Sequence, residues 1–228
     1  MPRKTFTQET HGSQKDIQLL ANKYKKLLDE EISKIKKEPV ELEWFSPLKD
    51  DDYAEYVDQC FINRLGISDR ILVQLKNFWP KGGVNWDGLA KDGETVFIME
   101  AKAHISEIKI ESTRASSVKS LELIEKSLNE TKEFLNIKSD ISWCKKNYYQ
   151  YANRIAHLYY LREKNKIDAH ILFIYFLNDK SVVTKKEETK EDWEKAINGI
   201  YNKLELKEDN KLSKFIHHIF IDVESWEK

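Results

Sequence analysis

The sequence predicts an α/β protein in which a mixed central β-sheet is flanked by helices. Three observations predict it. A hairpin pattern covers 84–103. Two runs, Thr95–Ala103 and Ala169–Leu177, are apolar on both faces over much of their length, as strands buried on both sides are. Helical periodicity fills the segments around them. The order is helices, hairpin, helices, strand, helix, strand, which suits helices packed on a sheet. A chain of 228 residues holds one domain with room for an extension. Residues 1–45 are expected to form an N-terminal helical extension and residues 46–228 the core.

Asp16 to Lys37 carries Ile17, Leu20, Tyr24, Leu27, Leu28, Ile32 and Ile35 at helical spacing, and Pro39 stops it. Ser46-Pro47 is expected to open a second helix. Asp50, Asp51 and Asp52 suit its positive end, Tyr53, Val57, Cys60 and Phe61 form its buried stripe, and Gly66 ends it. Ser68-Asp69 caps a third helix, Arg70 to Phe78, ended by Pro80. Lys81-Gly82-Gly83 is a turn without the GxxxxGK[ST] pattern of a phosphate-binding loop. Val84–Ala90 alternates, Lys91–Glu94 reads as a turn, and Thr95–Ala103 returns. Helices follow at about 113–135 and 143–163, then a strand at Ala169–Leu177. A helix at Asp192–Leu204 and a strand at His217–Val223 complete the chain.

Composition excludes some functions. With 38 Lys+Arg against 39 Asp+Glu the net charge is -1, so no uniformly basic coat wraps nucleic acid, although a local basic cleft remains open. Cys60 and Cys144 lie far apart, give no zinc framework, and fit a reducing compartment. The first residues lack the apolar core of a signal peptide. The longest apolar run, Ile171–Leu177, is far short of the ~20 residues that span a bilayer. A cytoplasmic protein without membrane association is expected.

The chemistry concentrates in the hairpin. Asp87 sits on its first strand, and Glu100 and Lys102 sit on its second. Residues i and i+2 of a strand face the same side, so Glu100 and Lys102 project together, and the fold-back brings Asp87 toward Glu100. Two close carboxylates repel unless a cation lies between them. A hard divalent ion takes oxygen ligands, and the backbone carbonyl of Ala101 is a third. Other Glu-x-Lys copies, at Glu107, Glu130, Glu188 and Glu205, do not end an apolar strand that follows an Asp-bearing one. The Glu100 copy ends the run Val96–Met99, where burying charge without a partner costs several kcal/mol.

Asp87, followed by Glu100-Ala101-Lys102, resembles the core motif of the PD-(D/E)xK nuclease superfamily, with its restriction-endonuclease-like fold. The wider pattern Phe78-Trp79-Pro80-Lys81-Gly82-Gly83, Asn85-Trp86-Asp87 and Glu100-Ala101-Lys102-Ala103-His104 is similar to an uncharacterised bacterial subgroup of it. The resemblance implies hydrolysis of phosphodiester bonds in nucleic acid, with DNA the expected substrate. Asp87, Glu100 and the Ala101 carbonyl would hold Mg²⁺, with Mn²⁺ as substitute, and Lys102 would orient or activate the attacking water. It also implies an acidic residue from the preceding helix, for which Glu55 is the best match and Asp58 the next. A homodimer would suit the cutting of two strands. Trp86 stands where the superfamily often has Pro. The superfamily's later Gln with Tyr four residues on has no clear match, since Gln150 is followed at once by Tyr151. The rival expectation is a non-catalytic module, binding nucleic acid or protein, that keeps the fold.

Accessory candidates surround the motif. Asn85, two residues before Asp87, shares its face and could hydrogen-bond a ligand. His104 follows the motif strand directly and could meet phosphate. Glu107 and Glu111 could reach back but read first as loop residues. Gln150 and Arg154, on the polar face of an aromatic helix, are candidate nucleic-acid contacts. Trp86 and His157 read as core. Adjacent His217 and His218 face opposite sides of a strand and make a poor chelate.

Overall fold

The computed structural model of the protein describes residues 3–57, 60–108, 113, 115–144, 148–181 and 188–227. In chain order its elements are β1 (Arg3–Lys4), α1 (Gly12–Asn22), α2 (Lys25–Lys36), β2 (Glu43–Ser46), β3 (Glu55–Tyr56), α3 (Cys60–Arg64) and α4 (Asp69–Leu75). There follow β4 (Gly88–Asp92), β5 (Thr95–Lys102), α5 (Val118–Phe134), α6 (Tyr149–Tyr159), β6 (Ala169–Leu177), α7 (Lys190–Leu204) and β7 (Ile216–Asp222). Five strands form one sheet in the order β2-β4-β5-β6-β7, and β1 and β3 make a separate antiparallel pair. The sheet is mixed: β2, β4 and β5 run antiparallel, whereas β5, β6 and β7 run parallel. The expected α/β architecture is present.

Strands β5 and β6 sit at the centre because both faces of each are apolar. Val96, Ile98, Ile171, Phe173 and Tyr175 enter a core built with α3–α7. Phe97, Met99, Ala101, Leu172, Ile174 and Phe176 enter a second core with Ile17, Leu20, Leu28 and Ile32 of α1 and α2. The alternation continues past Met99, so Glu100 and Lys102 point to the first face.

The structure corrects three expectations. The helix of 16–37 is two helices that bend at Lys23 and Tyr24, whose N–H groups both return to the Leu19 carbonyl. The bend lets both apolar stripes reach one sheet face. Residues 1–45 are therefore a layer of the domain and not an extension, and the 45/46 boundary falls inside β2.

The helix expected from Ser46 to Leu65 is instead the end of β2, a 3₁₀ turn at Lys49–Asp51, β3, and the short α3. Asp52 and Tyr53 take φ values of 52° and 48°, which stop helical growth. Glu55 and Tyr56 pair instead with Lys4 and Arg3 of β1, which fixes them as a strand. The helical spacing of Tyr53 with Cys60 and Phe61 is coincidental.

The hairpin turn falls within the expected Lys91–Glu94 and is tighter than that stretch. Asp92 pairs with Thr95, leaving Gly93 and Glu94 as the turn, with Gly93 at φ 56°. Among the described residues no helix is long and apolar enough to cross a membrane.

Candidate active site

Asp87 stands one residue before β4, where the ladder with β5 runs out. Its N–H donates to the Met99 carbonyl at 3.1 Å. The next outward-facing donor of β5, the Ala101 N–H, has no strand partner there and donates to Asp87 Oδ2 at 2.8 Å. The aspartate thus caps the strand and is fixed over the end of β5.

Glu100 is buried beneath it. Its Oε1 accepts from Lys102 Nζ and from Gln150 Nε2. Its Oε2 accepts from Arg154 Nε at 2.7 Å and pairs with the other guanidinium arm at 2.5 Å. Lys102 Nζ also donates to the Ala101 carbonyl at 3.1 Å. Gln150 and Arg154 are one helical turn apart on α6, so one helix face supplies both donors. Arg154 lies over the Trp86 ring at 4.9 Å and donates to the Asn85 carbonyl at 2.9 Å and to Asn153 Oδ1 at 2.8 Å.

A third carboxylate completes the group. Glu55 lies on β3 and not on a helix, yet it reaches the expected place. Its Oε1 accepts from Gln14 Nε2 at 2.5 Å and its Oε2 from the Asn85 side-chain amide. Asn85 Oδ1 is buried and accepts no hydrogen bond from the described residues.

The electrostatics follow from burial and proximity. Burial, then the charge of Glu100, holds the Asp87 carboxyl well above its ordinary range, against the pull of Lys102. Burial likewise pushes Glu55 up to about 7, although Lys4 and its two amide donors oppose this. Burial would raise Glu100 as well, but Arg154 and Lys102 overcome it and hold that carboxyl low. Burial alone would lower Lys102, yet the charges of Glu100 and Asp87 outweigh it and raise its pKa, so the side chain is an ammonium at neutral pH.

The structure therefore brings Asp87, Glu100, the Ala101 carbonyl, Lys102, Glu55 and Asn85 together on one face. Arg154 and Gln150 belong to the same group, but not as free nucleic-acid contacts. Arg154 is 4% exposed and its guanidinium is spent on Glu100, Asn153 and Asn85. Nothing in the α6 sequence marked this beyond the one-turn spacing of the two residues, and Gln14 carried no signal. His104 is not drawn in. Its N–H donates to Glu107 at 2.8 Å, and its buried Nε2 has no hydrogen-bond partner among the described residues. Glu107 turns away to cap Ala103 and His104. Asp58 and Glu111 lie outside the described residues.

No family model, curated protein or solved structure matches the chain. The site is thus read on its own chemistry. Its donors are all oxygen, which suits a hard cation such as Mg²⁺ or Mn²⁺. Asp87 fits that role by position, because its carboxylate is fixed over the end of β5 beside Glu100 and the Ala101 backbone. Glu100 is already surrounded by donors. Among the described residues no three acidic, His or Cys side chains stand as a closed ligand cluster.

Proposed function

We propose that the protein is a metal-dependent nuclease of the PD-(D/E)xK, restriction-endonuclease-like kind, which hydrolyses phosphodiester bonds of nucleic acid, with DNA the expected substrate. One observation carries the reading: Asp87, Glu100 and Lys102 converge at the end of a strand that is otherwise buried on both faces. Asp87, Glu100 and the Ala101 carbonyl would hold the ion, with Glu55 beside them. When bound, the ion would supply Lewis acidity to a phosphoryl oxygen. Lys102, as an ammonium, donates a hydrogen bond and positive charge to a water or to the developing phosphoryl charge; it does not take up a proton. Arg154 and Gln150 orient Glu100, and Asn85 orients Glu55.

The test is cleavage of single- and double-stranded DNA and RNA with Mg²⁺ or Mn²⁺. Lys102→Ala is expected to abolish cleavage and keep metal binding, and Asp87→Ala to abolish both. Cleavage unchanged in both variants would remove the reading.

A second reading is a module that keeps the fold without catalysis. The filled acceptor positions of Glu100 favour it, since Lys102, Gln150 and Arg154 satisfy that carboxylate as a structural ion network would. It predicts no cleavage with either ion.

A further inference from the structure

The oxygens proposed to hold the ion are already in use by a side chain of the same motif. Lys102 Nζ donates to Glu100 Oε1 and, at 3.1 Å, to the Ala101 carbonyl. Both of those groups are proposed ligands, and only Asp87 is left out. Glu100 is closed on its other sides as well. An ionised carboxylate accepts about four donors on its two oxygens. Four nitrogens already approach it: Lys102 Nζ and Gln150 Nε2 at Oε1, and Arg154 Nε and Nη2, at 2.7 Å and 2.5 Å, at Oε2. A cation reaches Glu100 only when one of them gives way.

The donors differ in how firmly they are held. Arg154 is anchored, because its guanidinium also donates to the Asn85 carbonyl and Asn153 Oδ1 and lies over the Trp86 ring. Gln150 is neutral, so its departure removes no charge that opposes an ion. Lys102 is both charged and loosely tied. Among the described residues its ammonium donates only to Glu100 and the Ala101 carbonyl. Its side chain is 13% exposed against 3% for that of Glu100, so it has a path to solvent.

Charge sets where Lys102 can go. An ammonium moved off Glu100 needs another anion, and the acidic residues whose charges act on it are Glu100, Asp87 and Glu107. Glu107 is tied up: one oxygen caps the N–H groups of Ala103 and His104, and the other accepts from the Ser13 hydroxyl. Asp87 is itself a proposed ligand. The new anion therefore comes from outside the protein, and a phosphate group of nucleic acid is one that lysine meets as a point charge.

We infer that Lys102 and a divalent cation compete for Glu100 and the Ala101 carbonyl, and that a phosphate group draws Lys102 away, so that phosphate and cation bind cooperatively. The inference rests on the nuclease reading for where the cation binds, but it is tested by binding. Calorimetric titration with Mn²⁺, in chloride and in sulfate at one ionic strength, measures it. Sulfate serves in place of phosphate because it leaves Mn²⁺ in solution, and Asp87→Ala sets the background. The wild type is expected to bind Mn²⁺ at least about fivefold more tightly in sulfate, the lower end of ordinary coupling between sites. Lys102→Met is expected to bind Mn²⁺ at least about fivefold more tightly than the wild type in chloride, and to gain less than about twofold from sulfate. Lys102→Gln, which keeps a neutral donor for Glu100, is expected to do the same if Lys102→Met fails to fold, and the wild-type comparison stands without either variant. A wild-type affinity that ignores sulfate, variants that bind Mn²⁺ no more tightly than the wild type, or an equal gain from sulfate in variant and wild type overturns the inference. No Mn²⁺ binding by any of these proteins overturns it together with the cation site. Cleavage of DNA with Mn²⁺ is read separately. Coupling without cleavage removes the nuclease reading and leaves the competition, whereas cleavage with an affinity that neither sulfate nor Lys102 moves does the reverse.

Discussion

At the scale of single residues, Arg154 is the least expected part of the site. A guanidinium 4% exposed and shared among Glu100, Asn153 and Asn85 is a structural counter-charge, not a surface contact. Arg154→Ala leaves Glu100 buried without its main partner, and breaking such a pair costs about 3–5 kcal/mol. Urea unfolding measures it, and a loss below about 0.5 kcal/mol would contradict the placement. Asp16 makes a second case, away from the site. It is fully buried, and among the described residues neither oxygen accepts a hydrogen bond. The Lys15 ammonium, 3.0 Å from its Oδ1, is directed to Asp179 at 2.8 Å. Burial, then the charge of Asp179, pushes Asp16 up to about 7. A carboxyl raised in the folded state contributes stability that is complete below about pH 4 and is lost as pH rises through about 7. Asp16→Asn is therefore expected to exceed the wild type in stability at pH 8, by an amount that shrinks to nothing near pH 4. Parallel denaturation profiles across that range would contradict it.

At the scale of elements, period decides what could be read. The runs Thr95–Lys102 and Ala169–Leu177 were legible because short apolar runs bounded by turn residues suit strands buried on both faces. β2, β1 and β3 were not. They have two to four residues each, too few to show alternation, and the left-handed backbone at Asp52 and Tyr53 has no glycine to announce it. The α1–α2 bend was hidden because both halves keep the same helical phase. Its consequence is measurable. Leu20 is fully buried against the second core. Leu20→Ala is expected to cost about 2–5 kcal/mol, as core truncations do, and not the few tenths of an exposed extension.

At the scale of the whole molecule, the site is assembled from segments that are distant in sequence: Gln14, Glu55, the hairpin, and α6. Asp87, Glu100 and Lys102 were legible because a two-residue repeat and a fold-back place them without knowledge of the rest. The donors from α6 were not, because they reach Glu100 only through the crossover that carries the chain back over the sheet. Burial and mutual repulsion raise Asp87 and Glu55 on this face, and a divalent cation would relieve that repulsion in place of the proton. A divalent cation that binds this face stabilises the fold by mass action, about 2.7 kcal/mol at a hundred times its Kd. Millimolar Mn²⁺ is expected to raise the melting temperature of the wild type. Asp87→Asn is expected to erase that rise while melting higher than the wild type in EDTA, because burial and Glu100 disfavour the wild-type carboxylate there. A wild-type melting temperature that ignores the ion would count against a preformed cation site.

The parallel pairing of β5 with β6 spans the chain from 103 to 168, whereas β4 and β5 meet across a turn of two residues. Loop-closure entropy makes the first contact late and the second early. The hairpin is therefore the part of the sheet that can form while the chain is still searching, but only its middle, Leu89 and Ala90 against Ile98 and Phe97, is apolar enough to do so unaided. Its open end holds Asp87, Glu100 and Lys102, and Glu100 gains its Arg154 partner only when α6 arrives. The chemistry-bearing end should zip last. In a folding-rate study, Leu89 and Ile98 variants should slow refolding, whereas Arg154 variants should chiefly hasten unfolding.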